Sequence, residues 1–303
     1  MSIDLLARWL VIDKPAGFTS HDVVARARRA LNMKRIGHTG TLDPDATGVL
    51  VLAIGKATRL IQYLPGGKTY RAQIQLGLET DSYDTSGLVL NQKTVPEFSL
   101  SEIEAALERF LGPQMQVPPM VSAISIGGKR LYELARQGIE IERPARAVEF
   151  FEIKVIGWRH PFIECELSCS AGTYIRSLAH DVGQLLGCGA SLSYLQRTRA
   201  HTFALDQGYQ LDSLKPIRDH ATQGLEVDWP LQHLPKMSLA NQQSVSDLRQ
   251  GRPLLVDKAH FPESQSIRIY TPEGDFAAIG EVFSDRIQPR LLMIEPIYEK
   301  SVH

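Results

Sequence analysis

The sequence is most informative at residues 37–48, which read GHTGTLDPDATG. Its glycines allow tight turns and close approaches of the backbone, and its Asp43 carboxylate stands directly before a proline. An apolar strand is predicted directly after this loop, at residues 49–54. Loops held by a rigid strand often carry functional side chains. Asp43 is therefore either a candidate site residue or the capping residue of an ordinary turn.

Basic segments without acidic residues lie on both sides of this loop. Residues 26–35 and residues 46–78 contain several arginines and lysines but neither Asp nor Glu, and Asp43 and Asp45 lie between them. The whole chain of 303 residues has a net charge of −1, so no global field draws it to nucleic acid or to a membrane. A carboxylate such as Asp43 inside basic sequence is typical of a site for a polyanionic substrate. Solvated helix faces are the alternative explanation.

Length and composition indicate an ordinary globular protein with one large domain or two smaller ones. Cys165, Cys169 and Cys188 lack the paired spacing of a zinc site and suit a reducing compartment, so a cytoplasmic location is expected. Asp4 and Arg8 interrupt the apolar N-terminus, which therefore does not resemble a signal peptide. No apolar run is long enough for a membrane-spanning helix, so no membrane partner is expected.

Hydrophobic periodicity predicts strands and helices that alternate without a regular βαβ repeat. Capping residues and apolar stripes predict helices at residues 19–31, 99–111 and 174–186. Alternating or continuous apolar runs predict strands at residues 9–12, 49–54, 70–76, 151–156 and 163–169. The pattern changes near residue 234. Beyond it, a hairpin is predicted from residues 267–270 and 276–282, with a further strand at 291–297.

Arg176 lies where helix electrostatics disfavour a cation. It falls in the first turn of the helix predicted at 174–186, near the positive end of the helix dipole. We therefore expect it to have a carboxylate partner. Tyr70, at a strand start in basic sequence, and the basic excursion at residues 120–146 are two further candidates for a binding site. A structural ion pair, core packing and a plain surface loop are the respective alternatives.

Six motifs, occurring together and in order, resemble the bacterial tRNA pseudouridine-55 synthases of the TruB type. They are Lys14-Pro15 with Thr19-Ser20-His21-Asp22, the loop at 37–48, Lys68-Thr69-Tyr70, Thr80-Asp81, SAGTYIRSL at 170–178 and Leu195-Gln196-Arg197-Thr198. The resemblance spans roughly residues 9–203. The tail, with GDFAAIG at 274–280, is similar to the PUA-type RNA-binding module. Val121 and Ala200-His201 depart from the family's pattern.

The resemblance implies an α+β (mixed α/β) fold. A central, mostly antiparallel sheet flanked by helices would form a pseudouridine synthase domain at residues 1–235, and a small β-rich PUA-like domain would follow at 236–303. An insertion at about residues 120–146 would form a thumb that grips RNA.

The resemblance also implies a reaction: uridine at position 55 in the T-loop of tRNA becomes pseudouridine. The C1′–N1 bond breaks, the uracil turns over, and C1′ is joined to C5, so the reaction is redox-neutral and no cofactor or metal is expected. A stacked base is out of reach, so the nucleotide must flip out of the RNA. Two alternatives remain: a catalytically silent tRNA-binding chaperone on the same fold, and a guide-RNA-dependent pseudouridine synthase.

The resemblance assigns Asp43 to catalysis, either by attack on C1′ or by assisting elimination to a glycal. Arg176 would pair with Asp43, favour its ionised form and fix its orientation. Tyr70 would stack on the uracil, and its hydroxyl would help to remove the C5 proton. Tyr174 and Leu195 would form the pocket wall.

His38, next to the loop, would occupy space in the disturbed RNA, although a single histidine is also a common structural hydrogen bonder. Within the thumb, the expected RNA-binding residues are Lys129, Arg130, Arg136 and Arg143. The expected partner is the T-arm stem-loop of tRNA. The chain is expected to act as a monomer without an obligate protein partner.

Overall fold

The structure is a computed structural model that describes residues 7–122, 124–135, 137–214, 224–255 and 261–295. Up to residue 226 the strands of this part are β1 (Ala7–Lys14), β2 (Ile36–His38), β3 (Thr47–Gly55), β4 (Lys68–Leu76), β5 (Leu78–Thr80), β6 (Val89–Gln92), β7 (Gly112–Gln116), β8 (Ser125–Ile126), β9 (Lys129–Arg130), β10 (Arg146–Arg159), β11 (Phe162–Cys169), β12 (Ala190–Ala200), β13 (Phe203–Ala204), β14 (Tyr209–Gln210) and β15 (Leu225–Glu226).

The remaining strands are β16 (Lys236–Ser238), β17 (Leu254–Leu255), β18 (Ser266–Tyr270), β19 (Phe276–Phe283) and β20 (Arg286–Leu292). The α-helices are α1 (Ser20–Ala30), α2 (Leu100–Glu108), α3 (Leu131–Ala135), α4 (Ile175–Leu185) and α5 (Gln242–Arg249).

One large sheet forms the body of the chain, in the strand order β14-β1-β3-β12-β4-β11-β10-β7. Most neighbours along this path are antiparallel, whereas β1 with β14 and β3 with β12 are parallel. The predicted mixed α/β class with a mostly antiparallel sheet is therefore confirmed. The pairing of β3 with β12 matters for function because it brings residues 47–48 beside Gln196 and Arg197.

The predicted helices form where their capping signals place them. Thr19 with Asp22 and Ser99 with Glu102 make complete capping boxes at the starts of α1 and α2. α2 is shorter than predicted and ends at Glu108 instead of residue 111. The reason is Gly112, which adopts a φ of 84° and starts β7, so that the chain leaves the helix to pair with β10.

The alternating side chains of the central strands supply two separate apolar clusters. Leu10 and Ile12 of β1 belong to the cluster that α1, α2 and α4 cover. Trp9 and Val11 point the opposite way, because successive side chains of a strand face opposite sides of the sheet. The second cluster also contains Ile279, Leu291 and Met293 from the C-terminal strands.

The C-terminal strands form their own sheet, in the order β16-β18-β19-β20-β17, over a separate apolar core. The predicted hairpin is present as β18 and β19. The strand predicted at 291–297 was wrong in position, since β20 spans Arg286–Leu292. A tight turn at Ser284, with a φ of 56°, returns the chain at once and starts the pairing with β19 earlier. The domain division at residues 235 and 236 stays a prediction.

Two further expectations concern membranes and cysteines. None of the helices in the described ranges has the length and apolar character needed to cross a membrane. Cys165, Cys169 and Cys188 are buried free thiols. Burial raises the pKa of the Cys165 thiol to about 12 and that of Cys169 to about 11. These cysteines therefore behave as small apolar core residues.

Candidate active site

The loop at residues 39–46 joins two paired strands, β2 and β3, and carries Asp43 at its turn. The Ala46 amide donates to the Asp43 carbonyl at 3.2 Å, which closes the turn. Leu42 and Ala46 are buried on either side of Asp43 and anchor the loop in the core. The Asp43 side chain keeps 40% of its surface exposed. The loop thus presents the Asp43 carboxylate, and beside it the exposed Asp45, from an anchored turn.

Two fully buried cations hold this loop through its carbonyl groups. Lys14 Nζ donates to the carbonyls of Pro15, Phe18 and Pro44 at 2.6–2.9 Å. Arg197 donates to the carbonyls of Gly40 at 2.9 Å and Thr41 at 3.3 Å, and to that of Val49 at 2.7 Å. Burial lowers the pKa of Lys14 to about 8, against the opposing attraction of nearby carboxylates. Buried cations are rare unless they are satisfied, so these two are part of the loop's support.

Helix α4 supplies the partner of Asp43 from a segment 133 residues further along the chain. Its first turn lacks a side-chain cap from Tyr174 itself. Instead, the buried Gln116 side chain accepts from the Tyr174 amide at 2.8 Å and donates to the Tyr174 carbonyl at 3.0 Å. This exchange fixes the start of α4 and with it the position of Arg176.

Arg176 forms a two-point ion pair with Asp43. Arg176 Nη2 donates to Asp43 Oδ1 at 3.0 Å, and Arg176 Nε lies 3.0 Å from Asp43 Oδ2. The arginine side chain is only 4% exposed, so the pair is shielded from solvent on one side. The expected carboxylate partner of Arg176 is therefore Asp43. The Nη2 contact is a hydrogen bond, whereas the Nε contact is an ion pair only, since Nε has no hydrogen-bond partner among the described residues. A guanidinium can face both carboxylate oxygens in this way, which an ammonium group cannot do.

The remaining donors of Arg176 are occupied as well. Nη1 donates to the Ser82 carbonyl at 3.0 Å and lies 3.6 Å from the Asp84 carboxylate. Nη2 donates to the Val121 carbonyl at 2.9 Å. These acceptors compensate for the unfavourable position of a cation at the positive end of a helix.

Two cavities open on the Asp43–Arg176 pair, and both are also lined by Leu195. One, of about 230 Å³, adds Tyr70 and Tyr174 to its wall. The other, of about 220 Å³, adds the loop that contains Asp84. The structure thus brings together all five residues predicted for the centre of the site.

Tyr70 lies where the prediction needs it. Its side chain is almost fully buried at the cavity wall, where burial raises the pKa of the phenol. Its stacking on the base and its help in removing the C5 proton stay predictions.

His38 does not line either cavity. It lies in β2, paired with Leu52, with its ring 6.0 Å from that of His21. Burial, together with His21 and Arg197, lowers the pKa of His38, and its Nδ1 has no hydrogen-bond partner among the described residues. The predicted contact with RNA remains a prediction.

The thumb residues predicted to bind RNA are only partly visible. Lys129 and Arg130 form β9, which pairs with β8, and Arg136 lies outside the described residues. Arg143 pairs with Glu140 at 3.3 Å, and only 12% of its side chain is exposed. Arg143 is therefore engaged within the chain in the free protein, and its predicted contact with RNA stays a prediction.

Lys68 and Ser122 are among the cavity residues that sequence reasoning did not assign to the site. The available signal was spacing: Lys68 stands two residues before Tyr70, so both side chains share one face of β4. Asp84 and Arg197 were also not recognised as part of the site. Within the described ranges, no cluster of His, Cys, Asp and Glu side chains could hold a metal ion.

The chain matches three family models over most of its length. Residues 28–175 match the TruB family pseudouridylate synthase N-terminal domain. Residues 176–233 match the tRNA pseudouridylate synthase B C-terminal domain, and residues 235–293 match the C-terminal domain of pseudouridine synthase II TruB.

Curated relatives resemble the chain from end to end. The chain is 45% identical to the tRNA pseudouridine synthase B of Heliobacterium mobile, over 95% of each chain. It is 43% identical to the protein of the same name from Alkaliphilus oremlandii, over 96% of this chain and 98% of that one. Among solved structures, a chain of a Cbf5-Nop10-Gar1 complex shares 25% identity with a TM-score of 0.74, covering 97% of this chain and 87% of that one.

Proposed function

The chain belongs to the TruB family of pseudouridylate synthases, and we propose that it isomerises uridine at position 55 in the T-loop of tRNA with Asp43 as the reacting carboxylate. The relatives named tRNA pseudouridine synthase B support tRNA uridine as the substrate. One observation carries the assignment of the carboxylate. Asp43 is half-exposed at the mouth of two cavities, while a buried arginine holds both of its oxygens.

The geometry suits a group that meets the sugar of an extruded nucleotide. Arg176 keeps Asp43 aligned and leaves its exposed edge towards the cavities. The carboxylate would attack C1′, or would take up the 2′ proton of the sugar during elimination to a glycal. Both routes break the C1′–N1 bond, release uracil from C1′ and allow its C5 to bond to C1′. In this proposal Tyr70 stacks on the base, and Tyr174 and Leu195 confine it.

The rest of the proposal concerns the partner. The target nucleotide must leave its stack at a cost of a few kcal/mol, which contacts in the cavity offset. The T-arm stem-loop would be sufficient for recognition by a monomeric enzyme, and the C-terminal module would add contacts with the rest of the tRNA. A cytoplasmic location follows from the same substrate.

Asp43→Asn is the direct test. The change keeps the shape of the side chain but removes the negative charge, so pseudouridine formation in an unmodified T-arm hairpin should fall below detection while RNA binding is largely kept. Pseudouridine is mapped after a single turnover, and the dissociation constant of the hairpin is measured separately.

Asp212→Asn is the matched control. It removes an exposed ion pair, in which Asp212 lies 3.0 Å from Arg26, and should leave the rate unchanged. Conversion by Asp43→Asn at the wild-type rate would refute the role of Asp43. Wild-type protein that binds the hairpin but never modifies it would favour the silent chaperone instead.

A further inference from the structure

The cations beside the larger cavity differ in what their donors already bind. Arg176 contacts Asp43 and the carbonyls of Ser82 and Val121. Arg197 gives its Nε and both terminal nitrogens to backbone carbonyls. Lys68 has neither a hydrogen bond nor an ion pair within the described part of the chain. Its ammonium is therefore the cation with donors to spare.

Lys68 lies at the place where a base would enter. It is the first residue of β4, and its side chain lies on the same face as Tyr70, two residues on. Both residues line the cavity of about 230 Å³ that Asp43 also lines. A group beside Tyr70 in this cavity would meet the edge of a base that stacks on the tyrosine ring.

The position of Lys68 is electrostatically unfavourable in the free protein. Burial, and after it the charge of Arg197, lowers the pKa of Lys68 to about 8. No carboxylate of the described residues lies within ion-pair distance to compensate. Anionic charge arriving in the cavity would remove this penalty, because opposite charges attract strongly where water is excluded.

The same cavity holds a second polar group without a partner. Ser122 is only 5% exposed, lines the cavity, and its hydroxyl makes no hydrogen bond in the part of the chain that the structure describes. Buried polar groups are normally hydrogen-bonded, so an exception requires an explanation. A ligand with several carbonyl and N–H groups, such as uracil, would satisfy both Ser122 and Lys68.

Building on the proposed function, we propose that Lys68 is a catalytic residue whose ammonium stabilises the negative charge that develops on uracil as the C1′–N1 bond breaks. The electron pair of that bond moves onto N1 and spreads to the carbonyl oxygens. Lys68 donates a hydrogen bond to one of these oxygens and keeps its proton. Asp43 acts at the sugar, either by attack on C1′ or by taking up the 2′ proton. The negative charge on uracil is lost when C5 bonds to C1′ and Asp43 leaves C1′ or returns the proton to C2′. C5 then loses its proton and N1 gains one, which gives pseudouridine.

A backbone phosphate is the competing ligand for an ammonium group. Phosphate contacts need only surface cations, which act through the solvent without burial. Lys68 instead shares a cavity with the base-stacking tyrosine and the catalytic carboxylate. These surroundings favour the base over the phosphate.

The test compares two leaving groups in the full-length protein. Lys68→Met and wild type react, under single-turnover conditions, with T-arm hairpins that carry either uridine or 5-fluorouridine at the target. Fluorine withdraws electrons, so 5-fluorouracil needs less help to leave as an anion. Lys68→Met should slow the loss of uridine about 100- to 1,000-fold, as for removal of one donor to a developing charge. The loss of 5-fluorouridine should slow by a clearly smaller factor.

Controls separate chemistry from folding and from binding. Lys154→Met removes an exposed lysine of β10 and should react like wild type. The rate of wild type should decline above pH 8 as Lys68 loses its proton. Lys68→Arg keeps its positive charge at high pH, so it should retain part of the rate and should not show this decline. Lys14 also has a pKa of about 8, and a decline that persists in Lys68→Arg would belong to Lys14 and count against the proposal.

Three results would overturn the inference. The first is an unchanged rate in Lys68→Met. The second is an equal loss with both hairpins. The third is a Lys68→Met variant that binds the hairpin more weakly, and with a weaker salt dependence of binding, but reacts at the wild-type rate once bound. This result would mean that Lys68 contacts a phosphate. If wild type converts uridine and Asp43→Asn does not, each of these results refutes only the role of Lys68 and leaves the proposed function standing.

Discussion

The guanidinium of Arg176 contacts three separate chain segments at once: the loop of Asp43, the turn at residues 82–84, and Val121 at the start of the thumb. Nη1 contacts the turn at residues 82–84, whereas Nη2 contacts both Asp43 and Val121. A shift of the chain at residue 121 would therefore disturb the same side chain that aligns the carboxylate. The alignment of Asp43 depends on the position of the thumb as well as on its own loop.

Arg176→Lys should reduce the single-turnover rate at least about 100-fold, because an ammonium cannot hold both oxygens of Asp43 and the two carbonyls together. Affinity for the hairpin should change much less. Arg26→Lys, which alters an exposed ion pair with Asp212, serves as the control and should react normally. Unchanged kinetics in Arg176→Lys would disprove the importance of the two-point contact.

For single residues, the sequence best reveals a functional charge when its position in a predicted helix is electrostatically unfavourable. Arg176 was identified because a cation in the first turn of a helix needs a partner, and its partner is Asp43. Lys14 and Arg197 could not be recognised as buried, since their burial comes from carbonyls of distant segments. Lys68 was missed because only the cavity shows what its side chain faces.

At the scale of elements, the contact between β3 and β12 holds the active-site loop. Gly48, at the start of β3, has a φ of 94°, and a Cβ there would lie 2.3 Å from the Arg197 carbonyl oxygen. Arg197 in turn binds the carbonyls of Gly40 and Thr41. The close approach of the two strands thus depends on a residue without a side chain.

Gly48→Ala should destabilise the protein by about 1–3 kcal/mol or more, from left-handed backbone strain and the clash with β12. The rate should fall too, since the displaced Arg197 no longer holds the loop. Gly66→Ala is the control, because a Cβ at Gly66 meets open space. The free energy of unfolding of both variants is measured in urea. Equal values for Gly48→Ala and Gly66→Ala would contradict the prediction that a Cβ at residue 48 strains the contact with β12.

Elements with local signals were predicted well, and elements set by pairing were not. The capping boxes at Thr19 and Ser99 locate α1 and α2 to within a residue at their starts. β20 was misplaced because its first five residues, Arg286–Arg290, are mostly polar and become a strand only by pairing with β19. Its apolar end alone carried a strand signal in the sequence.

At the scale of the whole molecule, the C-terminal module shares a core with the large sheet. Ile279 and Leu291 pack in one cluster with Trp9 and Phe203. Close by, the Tyr270 hydroxyl donates to the Asp228 carboxylate and accepts from Arg268. Sequence alone predicted a separate module, because a cluster built from strands 200 residues apart leaves no local pattern.

Ile279→Ala should lower the unfolding free energy of the whole chain by about 2–5 kcal/mol, since a fully buried side chain is lost from the shared cluster. The three tryptophans all precede residue 236, so their fluorescence reports the large sheet. In Ile279→Ala, the unfolding transition seen by tryptophan fluorescence should shift by the same amount as the transition seen by circular dichroism. Leu255→Ala, at a residue 81% exposed, should change little. A tryptophan transition unaffected by Ile279→Ala would mean that the two parts unfold independently.

The shared cluster has a consequence for how an RNA is selected. A module fixed by packed side chains keeps a constant span between its outer surface and the carboxylate of Asp43. An RNA that touches both ends must then have a stem of matching length, whatever its sequence. The fixed distance would select RNA molecules by the length of their stem before the reaction at one nucleotide.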